Sequence, residues 1–250
     1  MDVRTFTGAV FDCDGVLVDS EQPWIELMER YLSEMGLGDA DGITAASLRG
    51  MSSQETVDAL TSAHARRHPS ASSASTSERA GPPTVARVDE DYSRALEGLA
   101  SPMPGAVALV RALSGTVPIA VASNGRRRDV HGLLERAGLL DLFDAIVTID
   151  DVPRGKPAPD PYLRAAGRLG LEPRDLVVFE DSAPGATAGR SAGCTVIGVN
   201  ADRSTDLPAH ARLCTFDDLE YTVNAPPPAD GHMRLRVRAP WAQPQAEAIR

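Results

Sequence analysis

Phe11-Asp12-Cys13-Asp14-Gly15-Val16-Leu17-Val18-Asp19-Ser20 follows directly on the apolar run Gly8-Ala9-Val10-Phe11. A short apolar run of this kind reads as a buried strand, so Asp12 and Asp14 stand where the strand ends, at the rim of a sheet. Side chains alternate along an extended backbone, but a turn beginning at Gly15 lets two carboxylates two residues apart converge on one point. Facing carboxylates repel unless they share a proton or bind a divalent cation through oxygen ligands. The stretch therefore reads as a metal-assisted catalytic tip.

Working outward, the 250 residues and 42% hydrophobic composition suffice for one sizeable core and a second small unit. The net charge of -10 argues against nucleic acid or an anionic membrane as a partner, while leaving room for a local cationic pocket. No run long and apolar enough to span a membrane occurs, and Met1 to Thr7 carries no export pattern, so a cytoplasmic location is expected. Cys13, Cys194 and Cys214 are widely separated and read as free thiols. Of the 25 basic residues Lys156 alone is lysine. A chain that uses arginine everywhere else marks Lys156 as a place where a compact ammonium on a flexible stem is required.

After Ser20 the pattern is helical. Trp24, Leu27, Met28, Tyr31, Leu32 and Met35 recur at three- and four-residue spacing, with Gly36 as the stop. A second helical stretch is expected over Thr44 to Leu48, a third capped by Ser52 or Ser53, and a fourth over Arg87 to Leu99. Between the last two lies a Ser/Pro-rich run, 69–84, expected to be a flexible insertion. From Pro104 onward helices alternate with short apolar strands at 118–122, 145–149, 176–179 and 195–199, which argues a parallel α/β sheet covered on both faces. Ser123 and the pair Glu180-Asp181 each follow such a strand, as Asp12 does, so three segments converge on the carboxyl-end rim where open α/β sheets bind ligands. Residues 21–100 leave the chain right after the first strand and would stand over that rim as a lid. The tail, 225–250, shows little periodic apolar pattern and is expected to be weakly ordered.

Phe11-Asp12-Cys13-Asp14-Gly15, Ser123, Lys156-Pro157 and Glu180-Asp181-Ser182 together resemble the four motifs of the haloacid dehalogenase superfamily, in order, spacing and placement at strand ends. The likeness covers residues 8 to 220 and is greatest to the β-phosphoglucomutase-like and sugar-phosphatase subgroup. It implies a Rossmann-like core, 1–20 and 101–224, with a small α-helical cap, 21–100, inserted after the first strand. It also implies that Asp12 is the nucleophile and forms an aspartyl phosphate, and that Asp14 is the general acid and base. Mg²⁺ would be held by Asp12, the backbone oxygen of Asp14 and Asp181, with Glu180 nearby or through water. Ser123, Asn124 and Lys156 would bind the transferring phosphate, with Arg49 as a cap cation near the substrate. Such a charge distribution suits phosphoryl transfer, where positioning and neutralisation supply most of the rate.

Departures within the likeness narrow the chemistry. Dehalogenases proper lack an acid at the position of Asp14, and phosphonate-cleaving relatives need a cap lysine that this chain does not have. Trp24 and Ser53 stand where the mutase has a cap His and a cap Arg, which weakens a mutase reading. The expectation is a Mg²⁺-dependent phosphatase of a small phosphorylated metabolite, above all a sugar phosphate, working as a monomer or weak homodimer. A sugar phosphomutase and an idle phospho-ligand-binding scaffold are the alternatives.

Overall fold

The computed structural model describes residues 3–68, 81–98, 101–223 and 234–241. Strand β1 (Val3–Phe6) leads into β2 (Gly8–Phe11), after which the chain leaves the sheet as α1 (Glu21–Met35), α2 (Ser53–Arg67) and α3 (Val85–Ala95). It returns as α4 (Ala106–Leu113), β3 (Ile119–Ala122), α5 (Arg127–Arg136), β4 (Ala145–Val147), α6 (Asp160–Leu169), β5 (Leu176–Glu180), α7 (Ala183–Ser191) and β6 (Thr195–Val199). Strands β7 (Ala211–Leu213), β8 (Glu220–Val223) and β9 (Leu235–Arg238) complete it.

Six strands form one parallel sheet in the order β4-β3-β2-β5-β6-β7. Its central strands, GAVF, IAVA and LVVFE, are buried throughout, because crossover helices cover both faces and leave no solvated side to alternate against. On one face Phe11, Val121 and Phe179 pack with α4 and α5, with the rings of Phe11 and Phe179 stacked at 5.0 Å. On the other, Val10, Ala120 and Val178 pack with α6 and α7. Strand order reverses between β2 and β5, so a crevice opens beyond their carboxyl ends. The expected α/β architecture with a helical insertion after the first strand of the parallel sheet is the one observed.

The inserted segment has its own core. Met28, Tyr31, Leu32 and Met35 of α1 meet Leu60 and Ala63 of α2 and Val88 of α3, and Trp24 donates from Nε1 to the Leu48 carbonyl at 3.2 Å. Gly36 ends α1 in the left-handed region (φ 66°), where its missing Cβ avoids strain. Ser52 caps α2 through a reciprocal pair with Glu55, satisfying two otherwise orphaned N–H groups.

Sequence and structure differ in two places, and a third expectation falls outside the described residues. The expected helix over Thr44 to Leu48 is one 3₁₀ turn, Ala46–Leu48, too short to repay nucleation of an α-helix. Most of the Ser/Pro-rich run, 69–80, lies outside the described residues. The tail expectation needs correction over 234–241: Arg234 to Arg238 alternates at the strand period, and β9 pairs antiparallel with both β1 and β8 in a separate three-stranded sheet. Leu235 and Val237 are fully buried while Arg236 and Arg238 face out. The remaining residues of 225–250 lie outside the described residues. Among the described residues no helix is long and apolar enough to cross a membrane.

Candidate active site

Each of the three central strands delivers one group to the crevice. Asp12 leaves β2, with its N–H held by the Phe179 carbonyl at 3.0 Å. Ser123 leaves β3, tied by its N–H to the Val147 carbonyl at 3.0 Å. Glu180 ends β5, and Asp181 follows it. The chain turns at Gly15 with φ 72°, and a Cβ there would run into the Asp181 carboxylate, so the residue must be glycine on both counts.

Lys156 reaches this point from the loop before α6 and is 1% exposed. Its Nζ lies 2.8 Å from Asp12 Oδ1 and 2.6 Å from Glu180 Oε1. Burial alone would lower the ammonium's pKa, but Asp12 and Glu180 outweigh it and the net shift is upward. Asp12 is pushed up to about 8 by burial first, against the opposing charge of Lys156 and with help from Glu180 and Asp14. A second positive charge beside Asp12 would relieve that penalty.

The residues present fit such a cation. Asp12, Glu180 and Asp181 can each offer one carboxylate oxygen, all within 4.8 Å of one another. Hard oxygen donors in this number suit a divalent ion that keeps further positions for water and substrate. Glu180, however, is already engaged. Oε1 accepts from Lys156 and from the Tyr162 hydroxyl at 2.5 Å, and Oε2 from the Ser182 hydroxyl at 3.1 Å. Its described contacts also make it the anchor of Lys156. Gly185 makes room for it, since a Cβ there would overlap the Glu180 carboxylate.

Asp14 faces the same space from the cap side. Oδ1 accepts from Ser20 Oγ at 2.6 Å and from the Tyr92 hydroxyl at 3.2 Å, and Oδ2 from Ser123 Oγ at 3.2 Å. Burial, then the Asp14 charge, push the Tyr92 phenol well above its usual range, so it serves as a donor. Ser123 Oγ also accepts from the Gly125 N–H at 2.9 Å. Asn124, expected at the phosphate, lines the cavity and is also bonded within the protein. Its side chain accepts from Lys156 N at 2.8 Å and donates to the carbonyls of Lys156 (3.1 Å) and Gly50 (3.2 Å), clamping the lysine loop to the cap loop.

Asp12, Asp14, Tyr92, Asn124, Lys156 and Asp181 line a cavity of about 750 Å³ between cap and core. Arg49 is on its wall, and its charge is felt at Asp202, whose pKa is lowered by Ser204 first and Arg49 last. Two tyrosines escaped the sequence reading. Tyr162 is fully buried on α6 and Tyr92 sits on the amphipathic α3, so each looks like an ordinary core aromatic until the fold brings its hydroxyl to a carboxylate.

A family model described as haloacid dehalogenase-like hydrolase matches residues 6–193. A hexitol phosphatase from Escherichia coli (strain K12) is 33% identical over 228 residues, covering 89% of this chain and 96% of the relative. A fructose-1-phosphate phosphatase from the same organism is 30% identical over 195 residues, covering 78% and 96%. Among solved structures, a β-phosphoglucomutase from Clostridium difficile superposes with a TM-score of 0.68 at 21% identity, over 86% of this chain and 93% of that one, a likeness of fold.

Proposed function

The chain belongs to the haloacid dehalogenase-like hydrolases, and from that premise we propose that it is a Mg²⁺-dependent phosphatase of small phosphorylated metabolites, with sugar and polyol phosphates as its substrate class. The observation that carries the reading is the pairing of two carboxylates in opposite circumstances on one cavity. Asp12 is held against an ammonium, and Asp14, two residues on, is oriented by three hydroxyls. Phosphatase relatives that this chain matches over most of their length support the class of reaction.

Asp12 attacks phosphorus as the ester P–O bond breaks, and Asp14 delivers its proton to the departing oxygen. In the second half Asp14 takes a proton from water as that water's oxygen bonds to phosphorus and the Asp12–phosphorus bond breaks. Ser20 and Tyr92 hold Asp14 in line for both transfers. Lys156 is positioned to neutralise the phosphoryl oxygens beside Asp12, while Glu180 and Tyr162 fix its ammonium. Asp12, the Asp14 backbone oxygen and Asp181 would hold Mg²⁺, which would supply charge neutralisation at the phosphoryl oxygens. In this reading 21–100 acts as the cap over a core of 1–20 and 101–224, and the enzyme works in the cytoplasm.

Phosphate release should be measured over sugar phosphates, polyol phosphates, nucleotides and phosphoglycolate, with Mg²⁺ and with excess chelator. The reading expects release that the chelator abolishes and that Asp12→Asn removes; full activity in Asp12→Asn would overturn it. A mutase would have to grip a second phosphate in the cap, and Ser53, at the expected position for that grip, instead donates to the Asp89 carboxylate at 2.6 Å.

A further inference from the structure

Side chains of α3 in the cap bond to residues of α5 and its N-terminal flank at the wall of the cavity. The residues of α3 that meet the core follow helical spacing. Asp89 is ion-paired with Arg126, Tyr92 bonds Asp14, Ser93 Oγ donates to Asp129 at 2.7 Å, and the Leu96 carbonyl accepts from Arg136 at 3.1 Å. Tyr92 serves the proton-transfer carboxyl. Asp89 and Arg126 have no part in phosphoryl transfer, yet both line the cavity.

Asp89 is 6% exposed, a carboxylate buried at a substrate cleft. Its Oδ1 accepts from Ser53 Oγ at 2.6 Å and its Oδ2 meets the Arg126 guanidinium. Arg126 follows Ser123-Asn124-Gly125 directly, with its side chain half exposed. An arginine next to a phosphate-binding turn is well suited to grip a second anionic group on a substrate, because its planar fork matches carboxylate and phosphate oxygens. Here one nitrogen of that fork meets a carboxylate of the protein instead.

We propose that Asp89 is a specificity-determining residue. By holding Arg126 in a cap-to-core ion pair and presenting a carboxylate to the cavity, it selects phosphoesters whose leaving group is neutral and hydroxylated over those carrying a second anion. Hydroxyl groups can donate to Asp89, whereas a substrate carboxylate or second phosphate would meet a like charge with its natural counter-ion already occupied. The inference rests on the phosphatase reading and refines its substrate class.

The test compares kcat/KM for a hexitol phosphate with that for phosphoglycolate in the same preparation of each protein, so that the ratio is independent of how much of a variant is folded. Wild type should favour the hexitol phosphate. Asp89→Asn should move the ratio toward phosphoglycolate by about tenfold or more, the scale expected for removing a like-charge encounter. Adding Arg126→Gln to Asp89→Asn should take away part of that gain, because the freed guanidinium is one of its two sources and the lost like charge the other. An unchanged ratio in Asp89→Asn, or a gain undiminished in the double variant, would overturn the inference. Wild type is also assayed with a generic aryl phosphate: turnover together with an unchanged ratio defeats this inference alone, whereas no phosphate release from any ester defeats the phosphatase reading beneath it.

Discussion

Replacing Lys156 by Met removes one ammonium, keeps an unbranched side chain of similar reach, and leaves two buried carboxylates without their common partner. The Lys156 Nζ lies 2.8 Å from Asp12 and 2.6 Å from Glu180, and the lysine is 1% exposed, so solvent offers little replacement for the lost charge. Removing one partner of a buried pair costs about 3–5 kcal/mol. Against a total stability of about 5–15 kcal/mol, the variant should fold but be strongly weakened. With a urea slope of about 2–3 kcal/mol per M, the midpoint should fall by about 1–2.5 M. The assay is urea unfolding at pH 7 in excess chelator, run on wild type, Lys156→Met and Lys156→Met/Glu180→Gln. The double variant removes the Glu180 carboxylate left without its ammonium, and the new amide oxygen can still accept from Tyr162, so it should regain at least about 1 kcal/mol over Lys156→Met. If the double variant is no more stable than the single one, the lysine contributes packing rather than charge, and the reasoning fails.

Three further outcomes are expected. Tyr92→Phe removes a donor 3.2 Å from Asp14; kcat/KM for an alkyl phosphate should fall about tenfold, the scale of a hydrogen bond to a charged group, and by less for an aryl phosphate whose leaving group needs little protonation. Gly185→Ala drives a Cβ into the Glu180 carboxylate, whereas in Gly189→Ala it meets Val196 at 2.8 Å in the core; both should lose about 1–3 kcal/mol by overpacking in thermal or urea unfolding, but only Gly185→Ala should also lose phosphate release, because Glu180 anchors Lys156. Leu235→Ala should cost about 2–5 kcal/mol in the same unfolding assay, since the fully buried side chain joins the main core; a surface-like change below 0.5 kcal/mol would mean β9 is dispensable.

Sequence alone determined the architecture and the order in which chemistry is delivered to it. Apolar runs of four or five residues, each ended by a polar group, can only be buried strands with their functional residues at the rim, because period and burial are local properties of the chain. Asp12, Ser123 and Asp181 were therefore legible by position, and Lys156 by being the single lysine of the chain. The alternation of Leu235 and Val237 was written in the sequence as well, but its meaning needed partners from Val3–Phe6 and Glu220–Val223 that no local pattern announces. Tertiary structure alone decided what each group touches. It placed Tyr92 on Asp14 across 78 residues, Tyr162 on Glu180 across 18 and Ser53 on Asp89 across 36. It turned Glu180 into the lysine's anchor and Asn124 into a clamp between loops. A hydroxyl on an amphipathic helix looks the same in sequence whether it meets water or a carboxylate, and only the docking of the helices closes that last ångström.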